Sequence, residues 1–202
     1  MALEVDGGEM RSTVTKSKNR HSDFLMMEID RTLKFFGMEV ADLDAVGCVT
    51  GPGHFTGIRS GIATVKAMSF AHSIPIIGVP YAECVVTKEP IVLLRKARMG
   101  WVYVSEYDGK SWTYSMNSVD FVVKHLSGKK ILSEEIVNGE KIEIITGPLF
   151  TGFDMIEAMK RAFKNKMHVY NHLNIKPFYV QKPIAEEKLA KKRDTDHEKK
   201  FE

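Results

Sequence analysis

The chain has 202 residues, with 29 lysines and arginines against 26 acids, a formal net charge of +3 and 44% hydrophobic residues. That length allows one or two domains and a sizeable buried core, while so mild a charge argues against a dedicated polyanion-binding protein. No apolar run approaches the roughly 20 residues of a membrane-spanning helix, and Met1 to Asp6 lacks the apolar core of an export signal.

From the N-terminus, Ala2–Val5 and Met10–Thr15 flank an Asp-Gly step that suits a tight hairpin turn. Ser22 and Asp23 can cap a helix over 22–36, in which Leu25, Ile29, Leu33 and Phe36 form one stripe and Gly37 is the stop. Phe24, Met27 and Phe35 lie off that stripe. An apolar second face asks for a second neighbour, either within the domain or on another chain. Asp44–Thr50 reads as a buried strand and 55–71 as a helix, so Gly51 and Gly53 fall where the backbone reverses. Gly57, Ser60, Gly61, Ala63, Thr64 and Ala67 make that helix small-sided. Its interior glycines each cost roughly 1 kcal/mol against alanine, which close approach of another helix would offset.

Beyond Tyr81, Pro90–Leu94, Gly100–Ser105 and Trp112–Met116 read as strands, and Val119–Leu126 and Met155–Phe163 as helices. Lys141–Thr146 is a strand between those helices, and Phe178–Val180 a final one. The organisation expected is an N-terminal unit over 1–86, an α/β unit over 87–184 and a charged tail over 185–202. Cys48 and Cys84 lie among apolar neighbours outside any Cys-x-x-Cys pair. Both read as small buried hydrophobes, in keeping with a reducing cytoplasm.

The turn Gly51-Pro52-Gly53-His54-Phe55-Thr56-Gly57-Ile58-Arg59 carries the most information. Glycines before a helix start gather free N–H groups, and phosphate binding is one reading of such a turn; a tight structural turn is the other. A Walker loop would place lysine and a hydroxyl residue after its last glycine, where Ile58 and Arg59 stand. A dinucleotide fingerprint would need glycine at Thr56. The segment closely resembles the signature of the TsaB (YeaZ) family, Gly-Pro-Gly-Ser-Phe-Thr-Gly-Leu-Arg, with His54 as the main variation. His21-Ser22-Asp23-Phe24-Leu25, Ile74–Val79, and Phe178-Tyr179-Val180 with Ala185-Glu186-Glu187 resemble three further family elements in the same order.

The resemblance implies an α/β fold of the actin/Hsp70/sugar-kinase (ribonuclease H-like) type with two subdomains. It also implies a noncatalytic scaffold subunit of the machinery that makes threonylcarbamoyladenosine in tRNA. The partners implied are a TsaD-like catalytic paralogue and a TsaE-like ATPase, with a homodimer when the subunit is alone and tRNA engaged indirectly. No cofactor is implied for the subunit by itself, whereas ATP belongs to the assembled complex. Docking would use Phe24, Met27 and Phe35 with Ser60, Gly61, Thr64 and Ala67. Family members open on a strand resembling Ile-Leu-Ala-Ile-Asp-Thr-Ser; counted back from His21, Ala2–Val5 matches the second strand, so the first is expected to be missing here. The rival reading takes Ala2–Asp6 as the first strand, parallel to Val46–Val49.

The sequence departs from the family in three places. Lys96-Ala97-Arg98-Met99-Gly100-Trp101 exchanges two acids for lysine and tryptophan, Thr146-Gly147-Pro148 stands where Gly-Asp-Gly is common, and Gln181-Lys182 replaces an arginine. No catalytic residues are expected: no Ser-His-Asp set with a nucleophile elbow is present, and His168 and His172 lack a third ligand for zinc and read as surface histidines. The competing function is a stand-alone nucleotide-binding enzyme of Rossmann or sugar-kinase type.

Overall fold

The computed structural model describes residues 1–5, 8–13, 21–126, 128–133, 144–146 and 149–180, with backbone alone at 21–23 and 144–146. Expectations resting on Asp6, on 14–15, on the side chains of 21–23, on 141–143, on 147–148 or on the tail from 181 lie outside the described residues.

Strands β1 (Ala2–Glu4) and β2 (Met10–Ser12) form a two-stranded antiparallel sheet of their own, with Leu3 opposite Arg11. Helix α1 (His21–Phe35) follows and stops at Gly37, whose φ of 66° only glycine adopts without strain. The Met38 N–H donates back to the Leu33 carbonyl at 3.0 Å, satisfying one of the last free acceptors of the helix. Strand β3 (Val46–Gly51), helix α2 (Phe55–His72) and strand β4 (Ile76–Pro80) make a β-α-β unit with parallel strands, Val46 opposite Ile76. β4 also pairs antiparallel with the short β10 (Val169–Tyr170), giving the order β10-β4-β3.

Alternation along β3 and β4 builds two cores. Val46, Cys48 and Ile76 point to α2 and pack with Ile62, Val65, Met68 and Ile175. Val49, Ile77 and Val79 point the other way, to Ala158 and Ala162 of helix α4 (Gly152–Lys164). A sheet covered on both faces needs this two-sided apolar pattern. Gly47 belongs to it: a side chain there would occupy the place of the Met159 sulfur. α4 therefore returns from late in the sequence to cover the first sheet, and it also packs on β1, where Lys160 Nζ meets Glu4 Oε1 at 2.7 Å.

The second sheet has the order β7-β6-β5-β8-β9, built from β5 (Ile91–Lys96), β6 (Trp101–Tyr107), β7 (Trp112–Ser118), β8 (Ile131–Ser133) and β9 (Ile144–Thr146). β5, β6 and β7 run antiparallel in sequence, while β8 and β9 add in parallel. Helix α3 (Val119–His125) buries Val122 against Val92, Leu94, Val102 and Val104 on one face. The opposite face closes on the 3₁₀ turn Tyr81–Cys84 through Ala82, Val85, Ile91 and Leu93.

Two expectations are corrected. Phe178–Val180 is not a strand, because among the described residues its backbone is tied by the Phe178 N–H to the Thr50 carbonyl at 2.9 Å rather than by a ladder. Ala2–Glu4 is not placed beside Val46–Gly51 as the rival reading requires; it pairs with β2, and among the described residues β3 pairs with β4 alone.

Candidate functional site

The glycine-rich turn is fixed from three directions. Gly51 holds a φ of 130°, and a Cβ there would stand 2.7 Å from the Phe178 carbonyl oxygen, so glycine is required for conformation and for space. The Gly51-Pro52 bond is cis. At Gly53 an added Cβ would stand 2.7 Å from Nη1 of Arg95 on β5, and that Nη1 donates to the Pro52 carbonyl at 3.0 Å. The Arg95 guanidinium also lies over the Tyr81 ring, 3.8 Å from its centroid. One arginine thus joins the second sheet, the turn and the 3₁₀ segment.

Past the turn, α2 begins with an exposed aromatic and an exposed arginine. Phe55 stacks on Tyr179 with centroids 5.8 Å apart. Arg59 lies 4.2 Å above the Phe55 ring, its Nε donating to the Tyr179 hydroxyl at 3.2 Å. His54 precedes the helix without capping it by its side chain, and both it and Thr56 are exposed. The structure therefore draws Gly51, Pro52, Gly53, Phe55 and Arg59 into one packed constellation, while His54, Thr56 and Gly57 face outward. Arg95 and Tyr179 complete the constellation and were not among the site residues read from sequence. Tyr179 was visible there only as part of the C-terminal family element, and nothing in the sequence marks Arg95.

Farther along α2, Gly57 and Gly61 would each carry a Cβ into open space, with nothing within 4 Å. Ser60 and Thr64 are half-buried and Ala67 is exposed. On the neighbouring α1, Phe24, Met27 and Phe35 are 40%, 47% and 65% exposed, and Met26, which sequence reasoning passed over, is 53% exposed. Phe70, near the end of α2, is bare at 72%. These side chains leave apolar surface exposed among the described residues, with the Arg11 guanidinium 4.4 Å over the Phe35 ring, while the α1 stripe of Leu25, Ile29 and Leu33 is turned inward.

The late histidines are directed apart. His168, half-buried rather than on the surface as expected, places Nε2 3.0 Å from Glu83 Oε2, and His172 meets the edge of Phe70. Among the described residues no three His, Cys, Asp or Glu side chains gather as a metal set. Burial pushes the Cys48 and Cys84 thiols up to about 12, as expected of inert core residues. Burial, then the Glu83 charge, pushes the Tyr114 hydroxyl above its usual range. Among the described residues no helix is long and apolar enough to cross a membrane.

The paired α/β units, with this turn at the end of a parallel strand, define an actin/ribonuclease H-like fold. Solved structures that share it include YeaZ from Pseudomonas aeruginosa, with a TM-score of 0.71 at 18% identity over 87% of this chain and 91% of that one, and a Pseudomonas aeruginosa protein described as similar to peptidase YeaZ, with 0.72 at 18% over 88% and 92%. The model of the family TsaD, tRNA N6-adenosine threonylcarbamoyltransferase, matches residues 13–146, more than half of the chain. The chain belongs to that Gcp-like family. The threonylcarbamoyltransferase of Anoxybacillus flavithermus is 32% identical over 63 residues, 31% of this chain but 18% of the relative. An uncharacterised Mycobacterium tuberculosis protein is 33% identical over 96 residues, 46% of each chain. The chain thus aligns with less than a fifth of the transferase and about half of the mycobacterial protein.

Proposed function

We propose that this chain is a noncatalytic, TsaB-like subunit of the system that installs threonylcarbamoyladenosine in tRNA, docking through α1 and α2 onto a TsaD-like catalytic partner. The observation that carries the reading is the open space over Gly57 and Gly61 beside the exposed Phe24, Met26, Met27 and Phe35. Glycine inside an 18-residue helix is unfavourable by roughly 1 kcal/mol, and nothing among the described residues makes use of the missing Cβ. A helix from another chain laid along that stripe could come close enough to cover the α1 side chains as well. Fully burying one such side chain is worth up to about 1.5–3 kcal/mol, so three or four contribute several kcal/mol toward offsetting the cost of association. The same surface would pair with its own copy when the partner is absent, and a TsaE-like ATPase would join the assembled complex.

The packing of the turn supports a scaffold role over an ATPase role. The Cβ positions of Gly51 and Gly53 are filled by Phe178 and Arg95 of this chain, so these glycines are already accounted for without a phosphate. The test is co-purification with the TsaD-like protein of the same cell. The parent should be retained and Gly61→Leu lost, with Gly61→Leu still folded by circular dichroism. Retention of a folded Gly61→Leu would remove this surface from consideration. ATP turnover by the isolated chain, abolished by a substitution in the turn, would instead establish the stand-alone enzyme.

A further inference from the structure

We propose that the chain also contacts RNA directly, through an arginine–aromatic face that runs from the start of α2 across Arg95 to the β5–β6 turn, and that its ligand is an unpaired RNA loop. The proposal rests on the tRNA-modification reading and names the part of the substrate this subunit would touch.

The face is assembled from three elements. At one end, Arg59 is held flat by the Phe55 ring and by its Nε bond to Tyr179, which uses one of its five N–H donors. Among the described residues no carboxylate pairs with it, and the stacking on Phe55 preorganises the guanidinium. In the middle, Arg95 lies against Pro52 and Gly53 and stands opposite Tyr103 in the β5–β6 ladder, so both side chains rise from the same face. Two residues along β6, about 7 Å away and on that same face, comes Trp101. At the far end, Arg98 stacks on Trp101 at 4.9 Å, again with no acid among the described residues, and Met99 at the tip of the turn is 95% exposed. Phe55, Trp101 and Tyr103 are each partly or largely open to solvent.

Unpaired RNA is the occupant this chemistry fits. It presents phosphates to guanidinium forks and splayed bases to aromatic faces, and base stacking on a protein ring is tolerant of sequence. A paired helix hides its base faces and could use only the charges. An acidic peptide would likewise satisfy Arg59 and Arg98 but leave the aromatic faces without a role. The overall charge of +3 does not reveal the face, because it depends on where a few arginines lie.

Fluorescence anisotropy of the full chain with a labelled RNA hairpin carrying an unpaired loop, and with a blunt duplex of the same length, tests the proposal. The hairpin should bind several-fold more tightly than the duplex, weakening as salt rises from about 50 to 200 mM. Arg98→Ala, at an exposed turn, should reduce the salt slope by about one, and Trp101→Ala should weaken binding about five- to a hundredfold with recovery in Trp101→Phe. Lys34→Ala on α1 should change nothing. Absence of saturable binding at low salt, equal affinity for duplex and hairpin, an unaltered Arg98→Ala, or equal displacement by polyglutamate would each overturn the proposal, the last by making this an acidic-protein surface. Because the assay contains only this chain and RNA, its result is independent of the co-purification that tests docking onto TsaD.

Discussion

Alanine placed at Gly51 and at Gly61 should move stability in opposite directions. At Gly51 the substitution meets two costs. A φ of 130° is rarely adopted by side-chain-bearing residues, at about 1–3 kcal/mol. The new methyl would also stand 2.7 Å from the Phe178 carbonyl oxygen, a backbone atom that cannot swing aside as a long side chain would. Overpacking of that kind costs about 1–3 kcal/mol, for a combined loss of roughly 2–6 kcal/mol. In a chain of this size each kcal/mol shifts the melting temperature by about 2–4 °C, so Gly51→Ala should melt roughly 4–24 °C below the parent. At Gly61 the new methyl meets nothing, and restoring a good helix former to the interior of α2 is worth about 1 kcal/mol, or about 2–4 °C upward. Thermal melts followed by circular dichroism distinguish the two. A Gly51→Ala protein melting within about 2 °C of the parent would refute the packing argument for the turn. A Gly61→Ala protein melting lower would refute the argument that α2 carries an internally unused glycine.

Cys48 and Cys84, with thiols pushed up to about 12 and both buried, should resist iodoacetamide at pH 8 in the native protein and react fully in denaturant, as read by intact mass. Arg95→Met should destabilise the chain by about 1.5–3 kcal/mol in urea titration, since it removes a charged hydrogen bond to Pro52 and the stacking on Tyr81. Thr151→Ala should cost about 1 kcal/mol by removing half of the α4 capping box, in which Thr151 and Asp154 bond each other's backbone N–H groups. Those Thr151 bonds hold the Asp154 carboxyl below its usual range; their contribution is therefore present above the unfolded carboxylate pKa and lost as pH falls through the folded one, so the gap between parent and Asp154→Asn should close in acid melts.

How much could be read beforehand depended on distance along the chain. α1, α2, α3 and β5 to β7 were legible to within a few residues because their periodicity and caps are local; α4 was read only from Met155, although Thr151-x-x-Asp154, the capping box that starts it at Gly152, stands in the sequence. β8 and β10, three and two residues long, carry too little alternation to register, and their existence depends on the neighbours β5 and β4. The same limit governs the site. Gly51 and Gly53 announced a turn, but the Arg95 contact to Pro52 spans 43 positions and the Arg59 contact to Tyr179 spans 120. A lone arginine near a strand end has no sequence signature of such a role.

The glycines divide the signature into two parts with different physical reasons. At Gly51 and Gly53 the missing side chain is explained within the chain, because Phe178 and Arg95 occupy the space. At Gly57 and Gly61, in the same helix–turn unit, no such neighbour stands among the described residues, and none of them compensates the cost of glycine in a helix. A stability screen on this chain alone would therefore select against changes at the first pair and for changes at the second. If α2 faces a partner, a screen for association must show the reverse at Gly61, where alanine would add stability to the subunit while narrowing the approach of its neighbour. Measuring both properties on the same variants separates what the turn does for the fold from what the helix does for assembly.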